Sequence, residues 1–334
     1  MPEMNLLPSE IRRDVFVKSE DSSDEKSGIR PEERPIQEYI QKGVVNLDKP
    51  AGPTSHEVTS WVKKILELEK AGHSGTLDPN VTGLLPVMLG HTTKAVDALL
   101  TAGKEYICLM KLHTQVPEKE LKSVFREFKG EIYQKPSIIS AVKRETRVRN
   151  IYYIELLEVE DKNVLFRVGC EAGTYIRKLC HDMGMAMGTG AHMQELRRTK
   201  SGPFREDETL ITLQDLQDAY IEWKENGNES VLRKVIRPME FGVSHLAKIV
   251  IRDNAVDAVC HGAGLAAPGV LSVETGIEKG DVVAVFTLKG EVVSLGNAKM
   301  KTMDILKAAT GIVVSTDRVL LEAGTYPKGW KAKA

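Results

Sequence analysis

The chain has no run of about 18 apolar residues, and its amino terminus lacks the basic-then-apolar pattern of a secretory leader. Membrane insertion and export are therefore not expected, and the reading is an intracellular, cytoplasmic protein. Only four cysteines occur, Cys108, Cys170, Cys180 and Cys260, none at CxxC spacing. Neither a zinc site nor a disulfide framework is indicated, and the default is buried thiols. The histidines other than His73, including His181 and His192, also lack ligand spacing, so no metal is expected and each of these is read as structural. There is no internal repeat, heptad array or GxGxxG loop, and no Gly-rich stretch carries the Lys-Ser/Thr of a P-loop, so no nucleotide cofactor is called for. Nor is one sign of charge in excess, with 46 Lys and Arg against 47 Asp and Glu. A net charge of -1 ordinarily argues against a nucleic-acid partner, but it hides local asymmetry. Residues 1–40 are acidic on balance, whereas Lys143-Arg144-Glu145-Thr146-Arg147-Val148-Arg149 and Arg197-Arg198-Thr199-Lys200 are basic clusters. Basic runs are more often solvated faces than binding sites.

What is present suffices for two cores: 334 residues, 42% hydrophobic and 28% charged. Residues 21–28 are polar with nothing to bury and read as a flexible connection. Thr54 and Glu57 form a candidate capping box, followed at helical spacing by Val58, Trp61, Val62 and Ile65. From Lys104 the pattern alternates through Tyr106, Cys108, Met110 and Leu112, as on a strand face. A helix follows Pro117, with Leu121, Val124, Phe125 and Phe128 on one stripe ended by Gly130. Val164 to Cys170 reads as a strand that Ala172-Gly173 turns into a helix. After about Leu246 the texture changes to a short helix (253–259) closed by His261-Gly262, then Gly-punctuated β-runs at 281–286 and 291–295 joined by Leu288-Lys289-Gly290.

The most informative stretch is Gly72-His73-Ser74-Gly75-Thr76-Leu77-Asp78-Pro79-Asn80-Val81-Thr82-Gly83. Glycines permit sharp turns, Pro79 fixes its own φ and holds Asp78 extended, and the loop contains no basic residue to neutralise that carboxylate. A lone Asp-Pro is usually just a turn. Here the run closely resembles the GxLDPxxTG motif of pseudouridine synthases of the TruB and dyskerin type. Val44-Val45-Asn46-Leu47-Asp48-Lys49-Pro50-Ala51-Gly52-Pro53-Thr54-Ser55, Lys104-Glu105-Tyr106, Gly173-Thr174-Tyr175-Ile176-Arg177 and Leu196-Arg197-Arg198-Thr199 resemble the family's other motifs, in order. The segment from the 253–259 helix through His261-Gly262-Ala263-Gly264 and Lys279-Gly280-Asp281-Val282-Val283 resembles the PUA RNA-binding module.

The resemblance implies an α/β (α+β) fold, with a mixed, largely antiparallel sheet flanked by helices and a carboxy-terminal PUA β-barrel. The division expected is 1–40 as an extension packing on the PUA domain, 41–245 catalytic, 246–325 PUA and 326–334 a tail. Asp78 would be the catalytic carboxylate, acting on the sugar as nucleophile or as base in a dry pocket. Arg177 lies in the first turn of a helix, where a cation opposes the macrodipole by about 0.3–1 kcal/mol. The resemblance makes it the partner of Asp78, and a guanidinium can grip a carboxylate at two points. Tyr106, by its alternation a core aromatic, would stack on the target base, with Tyr175 nearby and Leu196 as an apolar floor. Lys49 would brace the pocket or bind a phosphate, and His73 would contact the flipped backbone without being a general base.

Gln134-Lys135-Pro136-Ser137-Ile138-Ile139-Ser140-Ala141-Val142-Lys143 resembles a PPxxSALK element but lacks the long insertion that stand-alone bacterial enzymes carry after it. A short basic loop remains, with Lys143, Arg144, Arg147 and Arg149 as RNA-binding candidates. Such a loop suits an enzyme whose targeting is delegated to a guide RNA. The implied partners are an H/ACA guide RNA held by the PUA module through Gly262 and Gly264, rRNA substrate with tRNA as an alternative, small Nop-type and Gar-type proteins, and a kink-turn-binding protein. The absence of a Lys-rich tail points to the archaeal form. Stand-alone tRNA T-loop modification and a non-catalytic scaffold are the competing readings.

Overall fold

A computed structural model describes residues 6–135 and 145–329. The larger of its two sheets has 11 strands and divides into two halves. The first half contains β2 (Gly43–Lys49), β3 (Ala71–His73) and β4 (Thr82–Leu89), with α1 (Ile36–Gln41) and α2 (Ser55–Ile65) packed on it. Thr54 caps α2: its hydroxyl accepts from the Glu57 N–H, and the Glu57 carboxylate takes the Thr54 N–H. Val58 and Val62 are buried as their spacing requires, but Trp61 points outward. A short α3 (Val96–Leu100) then leads to the second half: β5 (Lys104–Leu112), α4 (Glu118–Glu127), β6 (Gly130–Gln134), β7 (Arg147–Glu160), β8 (Asn163–Cys170), α5 (Ile176–Ala186) and β9 (Ala191–Ser201). Alternation along β5 buries Tyr106, Cys108, Met110 and Leu112 against Leu121, Val124 and Phe125 of α4 and Leu179 and Met183 of α5. The chain returns to the first half through β10 (Phe204–Arg205), β11 (Leu210–Ile211), α6 (Leu213–Asn226), α7 (Glu229–Val235), β12 (Arg237–Pro238) and α8 (Met239–Gly242).

The halves meet where β4 runs parallel to β9 over two registered pairs, Thr82 with Arg197 and Gly83 with Arg198. A Cβ at position 83 would lie 2.3 Å from the Arg198 carbonyl oxygen, and φ there is +97°. Only glycine lets the two halves approach so closely. The loop carrying Asp78 enters β4 at this junction.

A second sheet of 7 strands follows: β13 (Ala247–Ile251), β14 (Leu265–Ala266), β15 (Val270–Glu274), β16 (Val282–Phe286), β17 (Val292–Ala298) and β18 (Ile312–Val319), with α9 (Asp253–Cys260) and α10 (Thr302–Lys307). Its edge strand, β1 (Val15–Val17), comes from the start of the chain and pairs with β15. Residues 21–28 are tied down rather than loose: Asp253 accepts from Ser23 and the Asp24 N–H, and Lys289 Nζ donates to the carbonyls of Glu25, Ser27 and Gly28. Polarity without apolar content predicts freedom only when no remote donors exist, and here they do. The sheets are joined by an apolar cluster that mixes Ala95, Ala98, Met239 and Val243 with Phe286, Val292 and Leu320. Beside it, the buried Glu240 carboxylate accepts from Arg34 at 2.7 and 3.0 Å and from the Val292 N–H. No helix among the described residues is long and apolar enough to cross a membrane.

His245, also at this seam, donates from Nε2 to the Ala98 carbonyl at 3.2 Å, leaving Nδ1 buried and without a partner. Burial pushes its pKa down from 6.5 to about 4. The unfolded chain then binds the extra proton more readily, so this stability is complete above pH 6.5 and is lost as the pH falls towards 4. In urea unfolding His245 should account for a loss on the order of 2 to 3 kcal/mol across that window, a contribution that disappears in His245→Gln, which keeps a donor but cannot titrate.

Candidate active site

The loop that precedes β4 is held from three sides. Lys49, fully buried at the end of β2, donates to the carbonyls of Pro50, Pro79 and Val81 at 2.8, 2.9 and 2.9 Å, clasping the chain on both sides of Asn80. Ser55, at the first turn of α2, accepts from the Leu77 N–H at 2.9 Å and donates to the Leu77 carbonyl at 3.1 Å. From below, Arg198 donates to the carbonyls of Leu84 and Gly75 at 2.7 and 3.3 Å. Leu77 and Val81 anchor in the core, so Asp78 is left on an outward-facing rigid turn. The Lys49 ammonium is thus spent on three backbone carbonyls, as a structural lysine beside the turn would be.

Asp78 meets Arg177 there. Arg177 Nη2 donates to Asp78 Oδ2 at 2.6 Å across 99 positions of sequence. The contact is a single hydrogen bond rather than the two-point grip expected, and the pair is open, Asp78 being 56% and Arg177 66% exposed. A dry pocket is therefore not preformed around the pair. Arg177 is presented by α5, whose N-terminus has no side-chain cap of its own. Gln134 of β6 supplies one: its side chain accepts from the Tyr175 N–H at 2.9 Å and donates to the Tyr175 carbonyl at 3.1 Å. This buried amide, at the start of the PPxxSALK-like element, has a role that nothing local in the sequence signals.

Tyr106 is only 8% exposed, with its hydroxyl against Arg198, and burial pushes its phenol pKa up. Its ring forms part of the buried wall. Leu196 packs half-buried on the same core, and Tyr175 is half-buried beside Arg177. His73, on β3, packs edge-on against His56 at 4.8 Å, and burial with its neighbour pushes its pKa down to about 4. It is neutral at ordinary pH, so no phosphate would find a cation there.

The basic clusters resolve differently from their appearance as runs. Lys143 and Arg144 lie outside the described residues. Arg147 and Arg149 stand on β7, opposite Gln134 and Ile132 of β6, not in a loop. Arg149 pairs with Glu171 at 3.3 Å and covers Gly173, so its charge is committed. Arg197 is likewise neutralised, by two bonds to Asp48 and one to Glu206.

Family comparison covers nearly the whole chain. Residues 63–176 match the family described as TruB family pseudouridylate synthase (N terminal domain), residues 177–244 the tRNA pseudouridylate synthase B C-terminal domain, residues 247–320 the PUA domain and residues 5–59 the DKCLD domain. A probable tRNA pseudouridine synthase B of Methanosarcina barkeri is 61% identical over 98% of this chain and 96% of its own length. The chain belongs to the TruB family of pseudouridine synthases. A relative of the same description in Thermococcus kodakarensis is 58% identical over 98% of this chain and 97% of its own length. Among solved structures, a Cbf5-Nop10-Gar1 complex contains a chain 57% identical, with a TM-score of 0.93 over 97% of this chain and 99% of that one. An H/ACA RNP bound to a substrate RNA containing 2'-deoxyuridine contains one 55% identical, with a TM-score of 0.91 over 97% of this chain and 100% of that one.

In this pseudouridine synthase the PUA domain carries a groove of about 480 Å³ lined by Arg252, Asn254, Ala255, Ala258, Gly264 and Pro268, among others. Gly264 is part of its wall, while Gly262 sits at an exposed turn with φ +87°. Arg252 is aimed by the amino-terminal strap: its guanidinium donates to Asp21 at 2.7 Å, to the Ser19 hydroxyl and to the Pro268 carbonyl.

Because the Asp78–Arg177 pair is exposed, it contributes little to stability. Arg177→Lys should leave the melting temperature within about 2 °C of the parent. It should nevertheless slow single-turnover pseudouridine formation about 10- to 100-fold, since an ammonium cannot reproduce the direction of the guanidinium N–H. A parental rate would remove Arg177 from the site.

Proposed function

We propose that this chain is the catalytic subunit of an H/ACA guide ribonucleoprotein, converting chosen uridines of rRNA to pseudouridine. What carries the reading is the Asp78–Arg177 pair on a turn at the junction of the two half-sheets, in a chain that matches an H/ACA RNP protein over 97% of its length. The reaction breaks the bond from C1' to N1, turns the base while it stays bound, and joins C5 to C1'. Asp78 supplies the reactive carboxylate, as nucleophile at C1' or as base toward the sugar. Tyr106, Tyr175 and Leu196 form the wall against which the extruded base rests, and Lys49 and His73 support it.

In the division of labour proposed, residues 41–245 perform chemistry. Residues 246–325 hold the guide RNA in the Arg252–Gly264 groove, with Gly262 at its rim and residues 1–40 strapped across the module. Lys143, Arg144 and Arg147 meet the substrate strand. Proteins of the Nop10 and Gar1 kind complete the particle on the catalytic part, a kink-turn-binding protein joins through the guide RNA, and the site of action is the archaeal cytoplasm.

The names of the curated relatives refer to tRNA, so the test must include it. Pseudouridine formation is measured on an rRNA fragment and on a T-loop tRNA, each with and without guide RNA. The proposal expects rRNA product only with the guide. Guide-independent product confined to the tRNA would favour the stand-alone enzyme, and no product on either would leave a scaffold.

A further inference from the structure

The pleat of β5 sorts charge. Lys104 and Tyr106 share one face, and Arg198 of β9 is registered opposite Tyr106. Glu105 points to the other face, where it accepts from Tyr153 at 2.6 Å and Thr199 at 2.8 Å and lies 3.3 Å from Lys200. The acid that β5 itself carries is thus turned away, while Lys104 and Arg198 stay on the pocket side, where Asp78 and Lys49 are also within electrostatic reach.

Both are buried, Arg198 to 1% and Lys104 to 5% exposure, and neither has a carboxylate partner among the described residues. Arg198 donates to the carbonyls of Leu84 and Gly75 and reaches the Tyr106 hydroxyl. Lys104 Nζ donates to the carbonyls of Ala102, Leu100 and Leu99 at 2.9, 3.2 and 3.4 Å. Neutral donors would satisfy carbonyls at far lower desolvation cost, so burying two unpaired charges side by side is a local rule broken. Burial, and then Arg198, push Lys104 down to about 7, which reflects that cost: near neutral pH its charge is partly held, and an anion forming on the pocket side draws the proton on, while the Arg198 guanidinium stays charged. Gly75 lies against both: a Cβ there would be 3.5 Å from Lys104 Cε and 3.8 Å from Arg198 Nη1. The cations therefore form the floor beneath the loop that carries Asp78 and behind the ring of Tyr106.

We propose that Arg198 and Lys104 are positioning residues that supply a positive field for the negative charge the uracil carries once it is cut from C1'. When the C1'–N1 bond breaks, its electron pair leaves with the base and spreads over N1 and the carbonyl oxygens. Rejoining spends that pair on the C5–C1' bond; C5 then releases a proton and N1 takes one up, with no redox change. A charge set in a low-dielectric wall needs no reorganisation as the anion forms, and it acts at short range without touching the base. The inference rests on Asp78 being the reactive group.

The test compares uridine with 5-fluorouridine at the target position, in the assembled guide complex under single turnover, and reads C1'–N1 cleavage as the C5-joined product for both, because the fluorinated base has no C5 proton to release and stops at the C5-joined adduct or its hydrate. Fluorine stabilises the uracil anion by itself, so an enzyme that has lost its field should be rescued by it. Lys104→Met should slow the uridine substrate roughly thirtyfold and the fluorinated one about threefold or less. Arg198→Lys, which keeps the charge but disturbs the carbonyl contacts, should slow both alike. The ratio within one variant does not depend on how much enzyme is folded, and Lys104→Gln serves if the Met variant cannot be assembled. Equal slowing of both substrates by the neutral variant would overturn the proposal and leave Lys104 a structural tie. Asp78→Asn, run alongside, separates the failures: if it stays active, the site reading itself is wrong.

Discussion

Asp78→Asn should lower single-turnover pseudouridine formation by at least about 1,000-fold while leaving guide-RNA affinity within about twofold. The substitution keeps size and a hydrogen-bond acceptor for Arg177 but removes the charge, and with it both chemical roles open to the carboxylate. Little else should change, because Asp78 is more than half exposed and its loop is held by Lys49, Ser55 and Arg198 rather than by Asp78. The melting temperature is therefore expected within about 2 °C of the parent. The assay uses assembled complex in excess over a labelled target RNA. A rate within tenfold of the parent would remove Asp78 from the chemistry.

The second large effect concerns the PUA groove. Removing the whole module is a poor experiment, because it would expose the apolar cluster shared across the seam and strand the buried Arg34–Glu240 pair. Breaking such a pair's surroundings costs several kcal/mol by itself. Ala255→Glu with Ala258→Glu is cleaner. Both positions line the groove from α9, so two carboxylates there repel a phosphate backbone; Ala255 also packs on the module's core, so the melting temperature is measured alongside. Guide-RNA affinity should fall about 100-fold or more at moderate salt. At saturating guide, the rate on bound substrate should stay within about threefold, since the groove lies outside the site around Asp78. Unchanged affinity would place the guide elsewhere, and a collapsed rate at saturation would show that the groove and the chemistry are not separable.

Much of this was legible in the sequence where the signal is local. Thr54 and Glu57 mark the start of α2, alternation marks β5, and Gly-Asp-Pro chemistry marks the Asp78 loop, because capping, pleat and turn preferences act between near neighbours. What failed depends on distant partners. Arg198 reads as one member of a surface basic run, yet it is buried because its carbonyl acceptors, Leu84 and Gly75, come from more than a hundred positions away. Arg149 reads as a free cation until β8 brings Glu171 beside it, and residues 21–28 read as loose until Asp253 and Lys289 take hold of them. Trp61 kept its helical spacing but lies at the edge of the apolar stripe, where periodicity alone does not decide exposure. Gln134 lay in a recognised motif but nothing signalled its capping role, since capping of a helix by a remote amide leaves no local pattern.

The central claim is that chemistry resides in Asp78 while the guide RNA chooses the uridine. The most direct measurement keeps the protein and the target RNA constant and changes only the guide's pairing segments. Pseudouridine is then mapped at single-nucleotide resolution in complexes assembled with each guide. The account predicts that the modified position moves to whichever uridine the new guide leaves unpaired, and that Asp78→Asn abolishes product at every position. Product that stays at one position whatever the guide, or that forms equally without it, would contradict the claim.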